Sequence, residues 1–184
     1  MESKQESSRL NSTPLSAARP NPNHLKPGRD QLLKTWIAAL LWLGIIVAES
    51  SNFFSAENTG RFLYSILHFL LGVVPAQFPV WHFYLRKTGH FVGYFTLSWL
   101  LFRAWRDTFP FPGNRWSIQW ARISFFMTAL VACLDEWHQS FLPSRTGNLH
   151  DVLLDSTAAL IAQVVLFLIL RKRIFEPVSQ VTAL

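Results

Sequence analysis

Residues 135–151 read DEWHQSFLPSRTGNLHD. The stretch holds three acids, two histidines, a glutamine and an arginine. It separates two runs without a formal charge, ISFFMTALVACL at 123–134 and STAALIAQVVLFLIL at 156–170. The fold depends on whether this charge is an exposed loop or the polar end of a helical bundle.

Two further uncharged runs lie upstream, TWIAALLWLGIIVA at 35–48 and TGHFVGYFTLSWLLF at 88–102. A membrane-crossing helix needs roughly 20 residues, so all four runs are short. A soluble bundle of buried helices is the alternative. Half of the 184 residues are hydrophobic and 15% are charged, with eight Trp and sixteen Phe. Such a chain has too little charged surface to solvate a bundle, which favours the membrane class. The predicted fold is all-α and polytopic, a four-helix transmembrane bundle. A fifth apolar run, FLYSILHFLLGVV at 62–74, is expected as one short interfacial or re-entrant helix.

The basic residues give the orientation. Thirteen of the 17 Lys and Arg fall in the segment ending at Lys34, in the Arg103–Arg122 loop and in Arg171–Arg173. Only Arg61, Arg86, Lys87 and Arg145 fall on the other side. The positive-inside rule then places both termini in the cytoplasm and the protein in the inner membrane. The net charge of +6 is thereby a topology signal, and no RNA- or DNA-binding motif accompanies it. Cys133 is the single cysteine, which excludes an intrachain disulfide and a CxxC site. Residues 1–30, polar and with four prolines, are expected to be a disordered cytoplasmic tail. No cleaved signal peptide is expected. Residues 31–173 form the membrane domain and 174–184 a cytoplasmic tail.

The missing helix length lies on one side. Measured from the basic anchors Lys34, Arg103, Arg122 and Arg171, the residues Glu49, His90, Lys87, Asp135, Glu136, Gln139 and Asp155 lie 13 to 17 positions away. At 1.5 Å per residue that is about 20–25 Å, less than the hydrocarbon core of ~30 Å. Helices of full length would carry these groups in their last turns, all in one layer beneath the outer surface. Charges there persist when they face one another or a wet pocket. Lys87, His90 and Tyr94 share one helical face, and Asp135 with Gln139 and Asp151 with Asp155 are i, i+4 pairs. The expectation is a polar cup, with Glu49, Ser50 and Ser51 as further wall.

The pattern Lys87-Thr-Gly-His90 with Tyr94, Asp135-Glu136-x-x-Gln139, Pro143-x-Arg145 and Asp151 resembles the VanZ-like family of bacterial membrane proteins. The similarity spans roughly residues 35–171. The family takes its name from an accessory glycopeptide-resistance protein associated with teicoplanin, so the resemblance implies a cell-envelope or antibiotic-susceptibility role. It maps Lys87, His90, Tyr94, Asp135, Glu136, Gln139, Arg145 and Asp151 onto the motif. One departure is Asp155, where the family commonly carries Asn, with Ala158 and Ala159 as small packing residues.

Each residue also has a plainer role. Lys87 and Arg86 can snorkel, His90 and Tyr94 can be packed core side chains, and Gln139 can cap a polar face. Asp135 and Glu136, about 100° apart on a helix, can form a structural salt bridge with Lys87 or Arg145. Asp151 suits a helix start, and His138 and His150 suit exposed loops. The functional expectation is that His90 with Asp135 or Glu136 is the catalytic acid/base pair. Lys87, Tyr94, Gln139, Arg145, Asp151 and Asp155 then bind substrate, a membrane lipid or cell-wall precursor held through an anionic group. Whether the protein is an enzyme stays open, since no nucleophilic serine motif or phosphate loop is present. His90, Asp135, Glu136 and Asp155 offer N and O ligands, but no HExxH or similar spacing exists; no metal is assigned and no cofactor is named. The alternative is a non-enzymatic small transporter or membrane partner using proton-coupled carboxylates. It lacks an internal repeat and a broken helix, and a homodimer would be needed to restore it.

Overall fold

The computed structural model describes residues 28–51, 56–111, 114–143 and 147–172. Arg145 and both expected tails, apart from Gly28 to Asp30, lie outside them. Five helices follow in chain order, α1 (Arg29–Ser50), α2 (Ala56–Leu71), α3 (Phe78–Thr108), α4 (Ile118–Gln139) and α5 (Leu149–Lys172). Each long helix extends past its uncharged run, so polar residues occupy its terminal turns. Among the described residues there is no strand.

Local chemistry sets the boundaries. Gly72, at φ 66°, ends α2, with its N–H donating to the His68 carbonyl and the Val73 N–H to that of Leu67. This is the left-handed glycine terminus that few other residues adopt at no cost. Pro79 sits in the first turn of α3, where no N–H partner is needed. Ser117 caps α4 by accepting from the Gln119 N–H at 3.2 Å. Asn148 caps α5, its side chain accepting from the His150 N–H at 3.1 Å.

α3 is the hub and packs against every other helix, whereas α2 packs on α3 alone. α1 and α4 run antiparallel to it, as Trp36 Nε1 donating to Thr108 Oγ1 and Trp105 Nε1 approaching Met127 Sδ show. α5 runs parallel to it. Lys87 pairs with Asp151, His90 with Asp155 and Ser98 with Gln163, at sequence separations of 64, 65 and 65. That constant offset is the register of two parallel helices. Ser98, Ala158, Ala159 and Ala162 are buried and let the backbones approach, with Ser98 Oγ donating to the Ala159 carbonyl at 3.1 Å.

The outside of the bundle is apolar. Leu41 on α1, Phe126 on α4 and Leu153 on α5 are all more than half exposed. A helix apolar on both its packed and its open face suits lipid rather than water. α1, α4 and Leu149–Leu170 of α5 are long and apolar enough to cross a membrane. α3 is longer, 31 residues or about 46 Å, but Arg86, Lys87, His90, Arg103 and Arg106 make it more polar. Three helices therefore meet the criterion where four were expected from the sequence. α2, with Phe62–Leu71 as its apolar part, is too short to cross.

Candidate functional site

The polar residues gather where α1 and α4 end and α3 and α5 begin. The opposite end carries Lys34, Arg103, Arg106, Arg115 and Arg122. At the rim of the polar end, Lys87 on α3 forms an ion pair with Asp151 in the first turn of α5. Its ammonium also lies 5.6 Å from the centre of the Phe83 ring. Glu136 on α4 accepts the Asn148 N–H at 2.8 Å, tying its carboxylate to the N-terminus of α5. Gly147, just before α5, lies close to the end of α4. A Cβ on Gly147 would meet the Glu136 carbonyl oxygen at 2.4 Å and Ser140 Cβ at 3.0 Å.

One turn deeper, His90 Nδ1 lies 3.3 Å from Asp155 Oδ2. Tyr94 donates its hydroxyl to Asp135 Oδ2 at 3.0 Å, and Gln139 Nε2 donates to the same oxygen at 3.1 Å. Gln139 also donates to Ser50 Oγ at 3.3 Å, which brings α1 into the site. The His90 and Tyr94 rings stack at 6.2 Å. Tyr94, Glu136, Gln139, Asp151 and Asp155 are all buried.

The structure brings together eight of the nine site residues expected from sequence: Lys87, His90, Tyr94, Asp135, Glu136, Gln139, Asp151 and Asp155. Two pairings differ from expectation. Lys87 pairs with Asp151 rather than Asp135 or Glu136, and the hydrogen-bonding partner of His90 is Asp155. Both follow from α5 lying parallel to α3, so residues on this face of α3 meet α5 at matching depth. Tyr94, on the same face one turn further along α3, meets Asp135 of α4 instead. Ser50 joins the site as expected, and Glu49 borders the gap between α1 and His90. His138 and His150 are exposed, but in helical turns rather than loops.

The charge is uneven. Among the described residues, with Lys87 engaged by Asp151, the carboxylates of Asp135, Glu136 and Asp155 remain around a single imidazole. Among the described residues, Glu136 Oε1 and Asp155 Oδ1 are buried without a hydrogen-bond partner. Such oxygens carry a desolvation cost that a bound cation or a donor on a ligand removes.

Deeper still, Gln163 Nε2 donates to Ser98 Oγ at 2.7 Å and to the Ser98 carbonyl at 3.1 Å. Sequence reasoning missed this pair. Neither residue is charged, and a serine and a glutamine inside apolar runs give no signal of their own.

The family model described as VanZ/LLP1 matches residues 35–171. No curated protein and no solved structure matches the chain.

Proposed function

The chain belongs to the VanZ/LLP1 family, and we propose that it binds or acts on a cell-envelope substrate, a membrane lipid or wall precursor, at the polar end of its bundle. The supporting observation is the convergence of α1, α3, α4 and α5 side chains at one end of the bundle, in several neighbouring hydrogen-bonded groups. Such a cluster is expensive within a membrane unless it is used.

In this reading α1, α3, α4 and α5 all cross the inner membrane, α2 lies at the outer interface and the polar end faces outward. The bias of basic residues to the opposite end supports that orientation and cytoplasmic termini. The membrane domain covers residues 31–173. Lys87, 27% exposed at its side chain, attracts the anionic group of the substrate, helped by Arg145. Tyr94, Gln139 and Asp151 shape the pocket. His90 exchanges a proton with substrate while Asp155 orients its ring; Asp135 and Glu136 supply the remaining acid/base capacity. Altered glycopeptide susceptibility would follow from a changed envelope.

A proton-coupled carrier is less well supported. Deeper in the bundle the buried polar residues are Ser98, Ser124, Thr128 and Gln163, none of them ionisable.

The test is complementation of a deletion strain, read as lipid and wall-precursor composition and as teicoplanin susceptibility. Wild type restores both. Glu136→Gln, present in the membrane at the same level, restores neither. Full restoration by that variant removes the acid/base role, and a deletion strain with unchanged envelope removes the envelope reading.

A further inference from the structure

We propose that His90, Glu136 and Asp155 form a binding site for a divalent transition-metal ion of the zinc or manganese class. They come from three helices, and each offers a ligand atom within 4.8 Å of the other two. The sequence offers these residues as N and O ligands without showing which of them meet, because they lie 46 and 19 positions apart and come together only where α3, α4 and α5 pack.

The unpartnered oxygens are the second observation. Glu136 is 4% and Asp155 0% exposed, yet each keeps one carboxylate oxygen without a hydrogen bond among the described residues. Donors around them are engaged elsewhere: Lys87 with Asp151, Tyr94 and Gln139 with Asp135, and the Asn148 N–H with the other oxygen of Glu136. A cluster rich in acceptors and short of donors is what a cation stabilises, and one ion serves both carboxylates.

The ligand set decides the class. One imidazole nitrogen with two carboxylate oxygens suits zinc or manganese, whereas calcium and magnesium favour oxygen alone. Metal–ligand bonds of about 2.0–2.2 Å set donors roughly 3.3 Å apart in a tetrahedral site. His90 Nδ1 and Asp155 Oδ2 already stand at 3.3 Å, so an ion would replace the proton they share, and with metal bound His90 is a ligand and the acid/base work falls to Asp135. Three protein ligands leave a coordination position open, and Lys87 lies one turn above it. A phosphate or carboxylate oxygen of the substrate would fill that position. This last step rests on the envelope-substrate reading, but the ion site itself does not.

The test uses full-length protein in detergent, stripped with a chelator and then given Zn2+ or Mn2+ alone. Elemental analysis after dialysis reads occupancy and thermal unfolding reads stabilisation. Saturable uptake with a raised midpoint is expected. Asp155→Asn and Glu136→Gln, near-isosteric with the native residues, should each weaken it by at least about tenfold. His90→Gln is the third variant should either fail to fold. Replacing the exposed His138 and His150 by Gln should leave uptake unchanged. No saturable uptake, equal uptake by the ligand variants, or loss on replacing His138 and His150 overturns the site. Uptake of metal with no effect of Lys87→Ala on binding to vesicles containing anionic phospholipid would keep the ion and remove the substrate reading. The reverse pattern would do the opposite.

Discussion

His90 Nδ1 and Asp155 Oδ2 stand 3.3 Å apart across the α3–α5 interface, with Asp155 fully buried. The pair joins two helices 65 residues apart in sequence at the depth where α4 contributes Asp135 and Glu136. It links the packing of the bundle to the chemistry of the polar end.

Because Asp155 is enclosed, its replacements separate charge from shape. Asp155→Leu removes the partner of His90 and leaves a partly buried imidazole unsatisfied, a cost of about 1–3 kcal/mol. Asp155→Asn preserves a hydrogen bond and should cost roughly 1 kcal/mol or less. Thermal unfolding of both variants in detergent distinguishes these outcomes. Equal destabilisation would mean that His90 does not depend on this contact.

Lys87 and Asp151 should be energetically coupled. Removing either leaves a partly buried charge alone, whereas removing both leaves none. A double-mutant cycle with Lys87→Ala and Asp151→Ala should show an interaction of about 0.5–1 kcal/mol, since Lys87 keeps some contact with solvent. Strict additivity of the two unfolding changes would contradict the pair.

Gly147 has no room for a side chain. Gly147→Ala should push the α4–α5 loop away from the Glu136 carbonyl, costing about 1–3 kcal/mol, and break the bond from the Asn148 N–H to Glu136. Faster hydrogen exchange at the Asn148 amide is the readout. Gly44→Ala is the contrast, for a Cβ there meets nothing within 4 Å. As a helical Gly→Ala change it should be neutral or stabilising by up to about 1 kcal/mol.

The Ser98–Gln163 contact should affect stability but not the site. Polar contacts between membrane helices contribute about 0.6 kcal/mol on average, with a maximum near 1.7. Gln163→Leu should fall in that range while complementing the deletion strain fully. Loss of complementation at normal protein levels would extend the working site towards the middle of the bundle.

What the sequence made legible was local. The shared face of Lys87, His90 and Tyr94 and the Asp135–Gln139 pair follow from helical spacing within one segment. The common depth of the acids follows from counting back to basic anchors. Pairings between helices were not legible, because no single-helix period encodes which neighbour a face meets. Thus Asp155 rather than Asp135 or Glu136 hydrogen-bonds to His90. The constraint on Gly147 is likewise a backbone approach that appears only once the chain is folded. α3 carries Lys87 and His90 of the site as well as Arg86, Arg103 and Arg106, and is consequently less apolar than α1, α4 and α5, the three helices whose length and composition suit a membrane span.

The most direct test of an outward-facing polar site is thiol labelling in intact cells. Lys87→Cys and His90→Cys are placed in a Cys133→Ala background and exposed to a membrane-impermeant maleimide. Both positions should react from outside before any permeabilisation. Reaction only after the cytoplasmic face is opened would place the cluster at the wrong side of the membrane for an outer-leaflet substrate.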